Sequence, residues 1–468
     1  MFTIVDVILE ANPNSFDLLR ERVHALSLKE DPKIPGTPSF VRLKQISQLH
    51  FMSLEIFQDR HFDPLLVFEN NFDGDSDSYW QNALEEIGED LRGIFACTKP
   101  ALEPRWLSLF EESSTLSLEP FIKEYSVAPS ASHIGAVGIN LDRIKRDRGV
   151  FEALQARLGS STSQFHGLTA ANFQRQIRGW AVPNFPWLNT AEPWSIQREK
   201  TSYKYAAIRP ILPAFSMVAI LISMLAFFCS SDFLPNHGHL RARHILISLA
   251  MWLLVGLVLV ATSLGICLWT TLRRLEISDM TQDDPRLDLG QLKAFAAQED
   301  QIVQNHVASI VLVKPGVVRS IIIRGSLRVL KMFVPLVATD GYLGSMRTIH
   351  FAHWTLVGNA GRLMFLSNFD GSWQSYLDDF VDKAHRGLTL AWGNCVGFPP
   401  TKKLIEEGAT HGTQFKAWAR QSQTQSILWY SAYADLTVNQ ILRNAAIVDG
   451  LRKLDMTDAE AGGWAELL

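Results

Sequence analysis

The chain has 468 residues, enough for two or three domains, with 47% hydrophobic and 20% charged residues and a net charge of −4. That near-neutral balance, with no run of Lys or Arg, argues against nucleic acid as the main partner, because phosphate binding needs a concentrated basic face. Four cysteines, Cys97, Cys229, Cys267 and Cys395, form no CxxC pair, so neither a disulfide framework nor a structural zinc site is suggested.

The N-terminal stretch carries Asp6 and Glu10 inside an apolar run and lacks a basic start. It therefore reads as a first strand, TIVDVILEA, and not as a secretory signal. An amphipathic helix, SFDLLRERVHALSLKE, follows. QLHFMSLEIF and PLLVFENNF then form a hairpin across DRHFDP, SYWQNALEEIGEDLRGIFA a second helix, and SHIGAVGIN a fourth strand. The order is β-α-β-β-α-β, the ferredoxin-like unit, with LDRIKRDRGVFEALQARL appended as a helix.

The region 161–205 is rich in Phe, Trp and Pro, with Trp180, Trp187 and Trp194 beside Arg175 and Arg178. Two readings stand: an interfacial segment on the membrane surface, or a linker that packs domains. Two uncharged stretches follow, giving spans at about 210–231 and 245–271 within 206–272. Each exceeds the ~20 apolar residues that cross a bilayer core. A membrane hairpin of two helices is expected; the alternative is a buried pair in a large soluble core. Arg198, Lys200, Lys204 and Arg209 before the first span, and Arg273 and Arg274 after the second, place both soluble parts in the cytoplasm. In the loop, His237, His239 and His244 could ligate a metal, or simply belong to a polar connection.

After a polar linker helix at 273–304, the pattern repeats over 305–455. HVASIVLV, a helix from Val317, TIHFAHWTLV, RLMFLSNF, a helix from Trp373 and SILWYSAY match the first copy in order. His350-Phe351 answers His50-Phe51, and Asn368-Phe369-Asp370-Gly371 answers Asn71-Phe72-Asp73-Gly74. Tyr376 answers Tyr79, and Cys395 answers Cys97. LTVNQILRNAAIVDGL is the appended helix, and 456–468 a C-terminal tail. The expected fold class is α+β: two ferredoxin-like repeats paired face to face as an intrachain dimeric α+β barrel, plus the hairpin. The rival arrangement is two independently packing beads.

Period-2 alternation puts His50 with Met52, Leu54 and Ile56 on one strand face, and His350 with Ala352, Trp354 and Leu356; His353 points the other way. Each histidine reads as an iron ligand or base, or as a satisfied core residue. The Asp of Asn-Phe-Asp-Gly reads as a helix cap or as an acid/base. Cys395 reads as a nucleophile or as a buried thiol. There is no Walker A loop, GxGxxG, HExxH or GxSxG, so nucleotide hydrolysis, dinucleotide redox chemistry, zinc proteolysis and α/β-hydrolase chemistry lose ground.

The stretch from QIVQNHVASIVLVKPG through RLMFLSNFDGSWQSYLDDFVDKA to ILWYSAYADLTVNQI is similar to a little-characterised bacterial membrane-protein family. Its unit resembles the ferredoxin-like repeats of dye-decolorising haem peroxidases, which also carry two such domains in one chain. Those enzymes have a GxxDG motif; here Asp370-Gly371 and Asp73-Gly74 are kept, with Ser367 and Asn70 where the leading glycine stands. The resemblance implies a haem cofactor, with Asp370 as distal acid/base alongside His350 and His353. It implies His350 or His385 as iron ligand, with Arg386 and Asn368 also at the cofactor. The resulting expectation is a membrane-anchored peroxidase-like oxidoreductase acting on lipid-derived or other apolar substrates. The alternative is a non-catalytic membrane scaffold or ligand-binding protein that uses the paired sheets.

Overall fold

The computed structural model describes residues 2–30, 40–59, 62–111, 113–160, 165–190, 239–277, 289–299, 302–337, 347–359, 361–402 and 406–468. The chain is α+β, with antiparallel sheets. Strands β1 (Phe2–Glu10), β2 (Leu49–Phe57) and β3 (Leu65–Asp73) alternate with helices Phe16–Glu30 and Ser76–Phe95. Two short strands follow, β4 (Ser126–Val127) and β5 (Ala131–Ile134), then helix Leu141–Ser160. The second half repeats this order. Strands β6 (Gln304–Leu312), β7 (Ile349–Val357) and β8 (Arg362–Asp370) alternate with helices Val317–Val337 and Trp373–Trp392. A small ribbon, β9 (Thr401–Lys402) with β10 (Glu406–Glu407), precedes β11 (Gln423–Thr424), β12 (Leu428–Ser431) and helix Val438–Arg452.

The pairing departs from the expectation of a fourth strand within each repeat's own sheet. One five-stranded sheet runs β12-β2-β3-β1-β4 and the other β11-β6-β8-β7-β5. Each half therefore gives a strand to the other: Leu428 pairs with Leu54, and Ala131 with Trp354. The physical reason is the break between β4 and β5, and between β11 and β12. The stub pairs at home beside β1 or β6, and the next residues cross to the open edge of the other sheet. Edge strands left unpaired invite pairing, and here both edges are covered by the partner half. Neither closure into a barrel nor separation into independent beads results; among the described residues there are two exchanged sheets.

Alternation then sorts the side chains. The outward face of the first sheet (Val7, Leu9, Met52, Leu54, Leu66, Phe68) packs on Leu19, Val23, Ile87 and Leu91 of its helices. The second does the same, with Val307, Val311, Trp354 and Phe365 against Ile323, Leu327, Phe380 and Trp392. The inward faces meet: Phe57, Leu65 and Val67 pack on Ala308, Val357, Met364 and Leu366.

The crossing imposes one close approach. Gly135 follows β5 and donates its N–H to His350 O at 3.0 Å, and a Cβ there would lie 2.1 Å from Ile349 O. Gly135→Ala is expected to destabilise the protein by about 1–3 kcal/mol, because a backbone carbonyl in the exchanged strand pair cannot move aside. Urea unfolding of the full chain in detergent measures this; an unchanged midpoint would show that the crossing is loose.

The region 161–205 resolves toward packing where it is described. Helix Ala170–Asn184 buries Ala171, Ile177 and Ala181 with Ile447, Val448 and Leu451. Arg146 and Arg452 both lie over the Trp187 ring, at 4.9 and 5.3 Å. Trp194 lies outside the described residues. The C-terminal tail is not a loose end: Asp458–Ala465 is a helix with a Thr457/Glu460 capping box, and Trp464 is buried in the same cluster. Of the two expected spans, 210–231 lies outside the described residues. The other falls within helix His239–Ile277, whose segment Met251–Ile277 is long and apolar enough to cross a membrane, with mean hydropathy 2.4. It is the one such helix among the described residues.

Candidate functional site

Two groups of buried polar side chains answer the candidate residues. The first lies at the ends of β3 and β8. In each half a β-bulge follows Leu49 or Ile349, where the register steps to Phe51 or Phe351. The extra residue is the histidine. A bulge re-aims its side chain, so His50 and His350 leave the strand face that simple alternation assigns them. His50 Nε2 lies 2.9 Å from Asp73 Oδ2 and His350 Nε2 lies 2.8 Å from Asp370 Oδ1. Each carboxylate also caps the appended helix: Asp73 accepts from Leu141 N at 2.7 Å, and Asp370 from Val438 N at 2.8 Å. Gly74 and Gly371 follow with φ of +92° and +77°, a left-handed turn that glycine adopts without strain. Burial by itself would raise the Asp73 carboxyl, but the His50 imidazole and the Leu141 N–H outweigh it and hold it below the usual range.

The halves then differ. His50 Nδ1 meets Tyr433 Oη at 2.9 Å, a partner from the other half of the chain. In the second half Gln304 Nε2 lies 3.3 Å from His350 Nε2 and donates to the carbonyls of Tyr433 and Leu436. Beside Asp370 an open cleft of about 380 Å³ is lined by Ile302, Val303, Thr348, Ser372, Ser375, Thr437 and Asn439. Two helices begin on it, capped by Ser372 and Thr437.

The second group lies between the sheets, and the charged members other than His353 were not singled out from the sequence. Asp6 of β1 receives His353 Nε2, 3.0 Å from both its oxygens, and the Thr355 hydroxyl at 2.9 Å. Glu69 of β3 accepts from Ser53, Asn71 and, across the interface, Asn368. His306 Nε2 lies 3.0 Å from Glu69 Oε2, and its Nδ1 meets Ser426 Oγ at 2.7 Å. Glu55 is fully buried, its Oε1 3.7 Å from His306 Nδ1.

Burial opposes charge at each of these groups, and the neighbours decide the outcome. Burial raises the Glu69 carboxyl, yet His306, His353 and Asn71 pull it down to about 2. Glu55 is raised to about 7, by burial first and by the negative Glu69, with His306 opposing. Burial lowers both imidazoles, but Glu69 lifts His306 and Asp6 lifts His353 above the ordinary histidine value. The result is a set of ion pairs joining one sheet to the other. Their signal in the sequence was charge inside otherwise apolar strands, at Asp6, Glu55 and Glu69.

The nominated residues thus scatter. Asp370 and His350 touch; Asn368 and His353 belong to the inter-sheet group, where both approach Glu69. His385, half-buried, and Arg386, exposed, lie ~18 Å along their helix from its Asp370 end, at 1.5 Å per residue. These residues do not fit haem. His350 Nε2, which would bind iron, is instead paired with Asp370 Oδ1 at 2.8 Å. The space between the second sheet and its helices is filled by Trp354, Phe365, Trp392 and Phe415. Burial also pushes the Cys395 thiol up, which fits a structural thiol better than a nucleophile. Comparison with known proteins finds no matching family model, no matching curated protein and no matching solved structure.

Proposed function

We propose that this protein is a membrane-anchored, non-catalytic scaffold or ligand-binding protein built on two paired ferredoxin-like units. The reading rests on one observation: the buried histidines and carboxylates that could carry chemistry are held by one another, and all but the His350–Asp370 pair also bridge the two halves of the chain. His353 is committed to Asp6, His306 to Glu69, His50 to Asp73 and Tyr433, and His350 to Asp370. A catalytic acid or base has to reach a substrate proton. His353, Asp6, His306, Glu69 and His50 are buried, whereas Asp370 of the fourth pairing borders the open cleft. That cleft is the natural ligand entrance, offering hydroxyls of Ser372, Ser375 and Thr437 and an apolar edge at Ile302 and Val303. The two-helix membrane hairpin, with both units cytoplasmic, is part of the same proposal and is supported by the uncharged stretches and the flanking Arg and Lys residues.

The test is spectroscopic. The full chain, expressed with haem available and purified in detergent, is expected to show no Soret band. Asp370→Asn is expected to lower the melting temperature, through the weakened His350 pair and helix cap, by about 1–2 kcal/mol of stability and without a spectral change. A Soret band that His350→Ala abolishes would overturn this in favour of the haem-peroxidase-like oxidoreductase.

A further inference from the structure

Helix Val317–Val337 carries four basic residues, Arg319, Arg324, Arg328 and Lys331, and no acidic one. Its inward side is ordinary core: Ile323, Leu327, Leu330 and Val334 are buried against the second sheet. Its outward side is not an ordinary surface. Val317 (77% exposed), Ile321 (63%), Val329 (42%) and Phe333 (55%) stand in one row at four-residue spacing, Gly325 filling the middle position. Residues four apart stack on one side of a helix, so this is a continuous apolar stripe. Arg324, Arg328 and Lys331 are exposed beside it.

The helix is also tied to the end of the membrane-crossing segment. Arg319 Nη2 donates to Leu275 O at 3.0 Å, in the last turn of Met251–Ile277, and the Thr401 hydroxyl donates to the adjacent Glu276. Where that helix leaves the bilayer, the N-terminal turn of Val317–Val337 is therefore within hydrogen-bonding reach. At 21 residues it is about 31 Å long, enough to lie along a headgroup surface.

We infer that helix Val317–Val337 docks flat on the anionic cytoplasmic leaflet, its apolar stripe inserted at the acyl boundary and its basic residues on lipid phosphates. Interfacial helices have this composition, an apolar face rimmed by Lys and Arg, and negative lipids attract each basic group. The inference rests on the membrane anchoring proposed above. It adds that the second half of the soluble part is held against the bilayer and is not merely tethered to it. Docking would also fix the direction in which the paired sheets face.

A single environment-sensitive NBD label at Phe333→Cys, in a Cys229→Ser/Cys267→Ser background, reads this out. The labelled full chain is reconstituted into nanodiscs of phosphatidylcholine alone or with phosphatidylglycerol. The label is expected to shift to the blue with phosphatidylglycerol, and Arg324→Glu/Arg328→Glu/Lys331→Glu is expected to abolish the shift. Those residues are exposed, so circular dichroism checks that the variant is folded. An unshifted label in protein that stays with the lipid through alkaline carbonate flotation would overturn the docking while leaving the anchor intact. A blue label in both lipids, unaffected by charge reversal, would mean that a second copy or another protein covers the stripe, and would also overturn it. Loss of the protein from the lipid in carbonate would remove the anchoring reading itself, and the docking with it.

Discussion

Glu69→Gln is expected to destabilise the full chain by about 3–5 kcal/mol at pH 6, the usual cost of breaking one side of a buried ion pair. Glu69 is fully buried and receives Ser53 and Asn71 from its own sheet and His306 and Asn368 from the other. Glutamine keeps the shape but leaves the charged His306 without its counter-charge, and turns one accepting oxygen into a donor facing other donors. The carboxyl is held at about 2, below its ordinary value, so its contribution is present above about pH 4.5 and is lost as pH falls through the folded value. The difference between wild type and Glu69→Gln should therefore shrink toward pH 2. Urea unfolding followed by tryptophan fluorescence measures both points. A cost below about 1 kcal/mol at pH 6 would mean that the pair merely fills space between the sheets.

The opposite sign is expected at Glu55, one strand away. Its pKa is raised from 4.5 to about 7. Stability from its protonated form is present below the unfolded value and is lost as pH rises through 7. That rise corresponds to on the order of 3 kcal/mol. Glu55→Gln keeps a neutral side chain at all pH values. It should be near neutral at pH 5 and stabilise the chain by on the order of 3 kcal/mol at pH 8.5. His306 and His353, both raised, also lose their contribution above neutrality. Wild type should thus be most stable near pH 4.5 and lose stability from there to about pH 7, as Glu55 is the first to be left uncompensated. Glu55→Gln should instead hold its stability up to about pH 6.5, where the histidines begin to lose theirs. Equal stability of the two proteins at pH 8.5 would show that water reaches Glu55.

These two carboxylates also mark where the sequence stopped being informative. The strands that carry them were legible, since alternation within QLHFMSLEIF and PLLVFENNF is a property of nine or ten consecutive residues. A charge in the middle of such a strand said that something must meet it. It could not say what, because the answer, His306, lies more than 230 positions away. Asp6 is the sharper case: as sequence it counted against a signal peptide, whereas in the fold it holds His353 and Thr355 of the other sheet.

The same boundary runs through the histidines. Sequence alone paired His50 with His350 and Asp73 with Asp370, and the matched contacts, with Phe72–Tyr79 and Phe369–Tyr376 stacks at 3.8 and 3.9 Å, bear out the correspondence. It put both histidines on a strand face because period-2 counting has no provision for a bulge. Such a bulge depends on what the partner strand offers, not on the residues themselves. His385 and Arg386 were grouped with Asp370 by proximity in sequence, and in the fold that proximity is spent along the length of a helix.

By itself, then, the sequence determined the three long strands and two long helices of each half, an apolar stretch at about 245–271 and the internal match of its motifs. All are local or self-referential. Tertiary structure alone decided that β5 and β12 change sheets, and that Asp6, Glu69, His306 and His353 become each other's counter-charges. Strand partners and buried ion pairs are selected by which edges and faces are left open once the rest of the chain has packed, and no window of sequence contains that information.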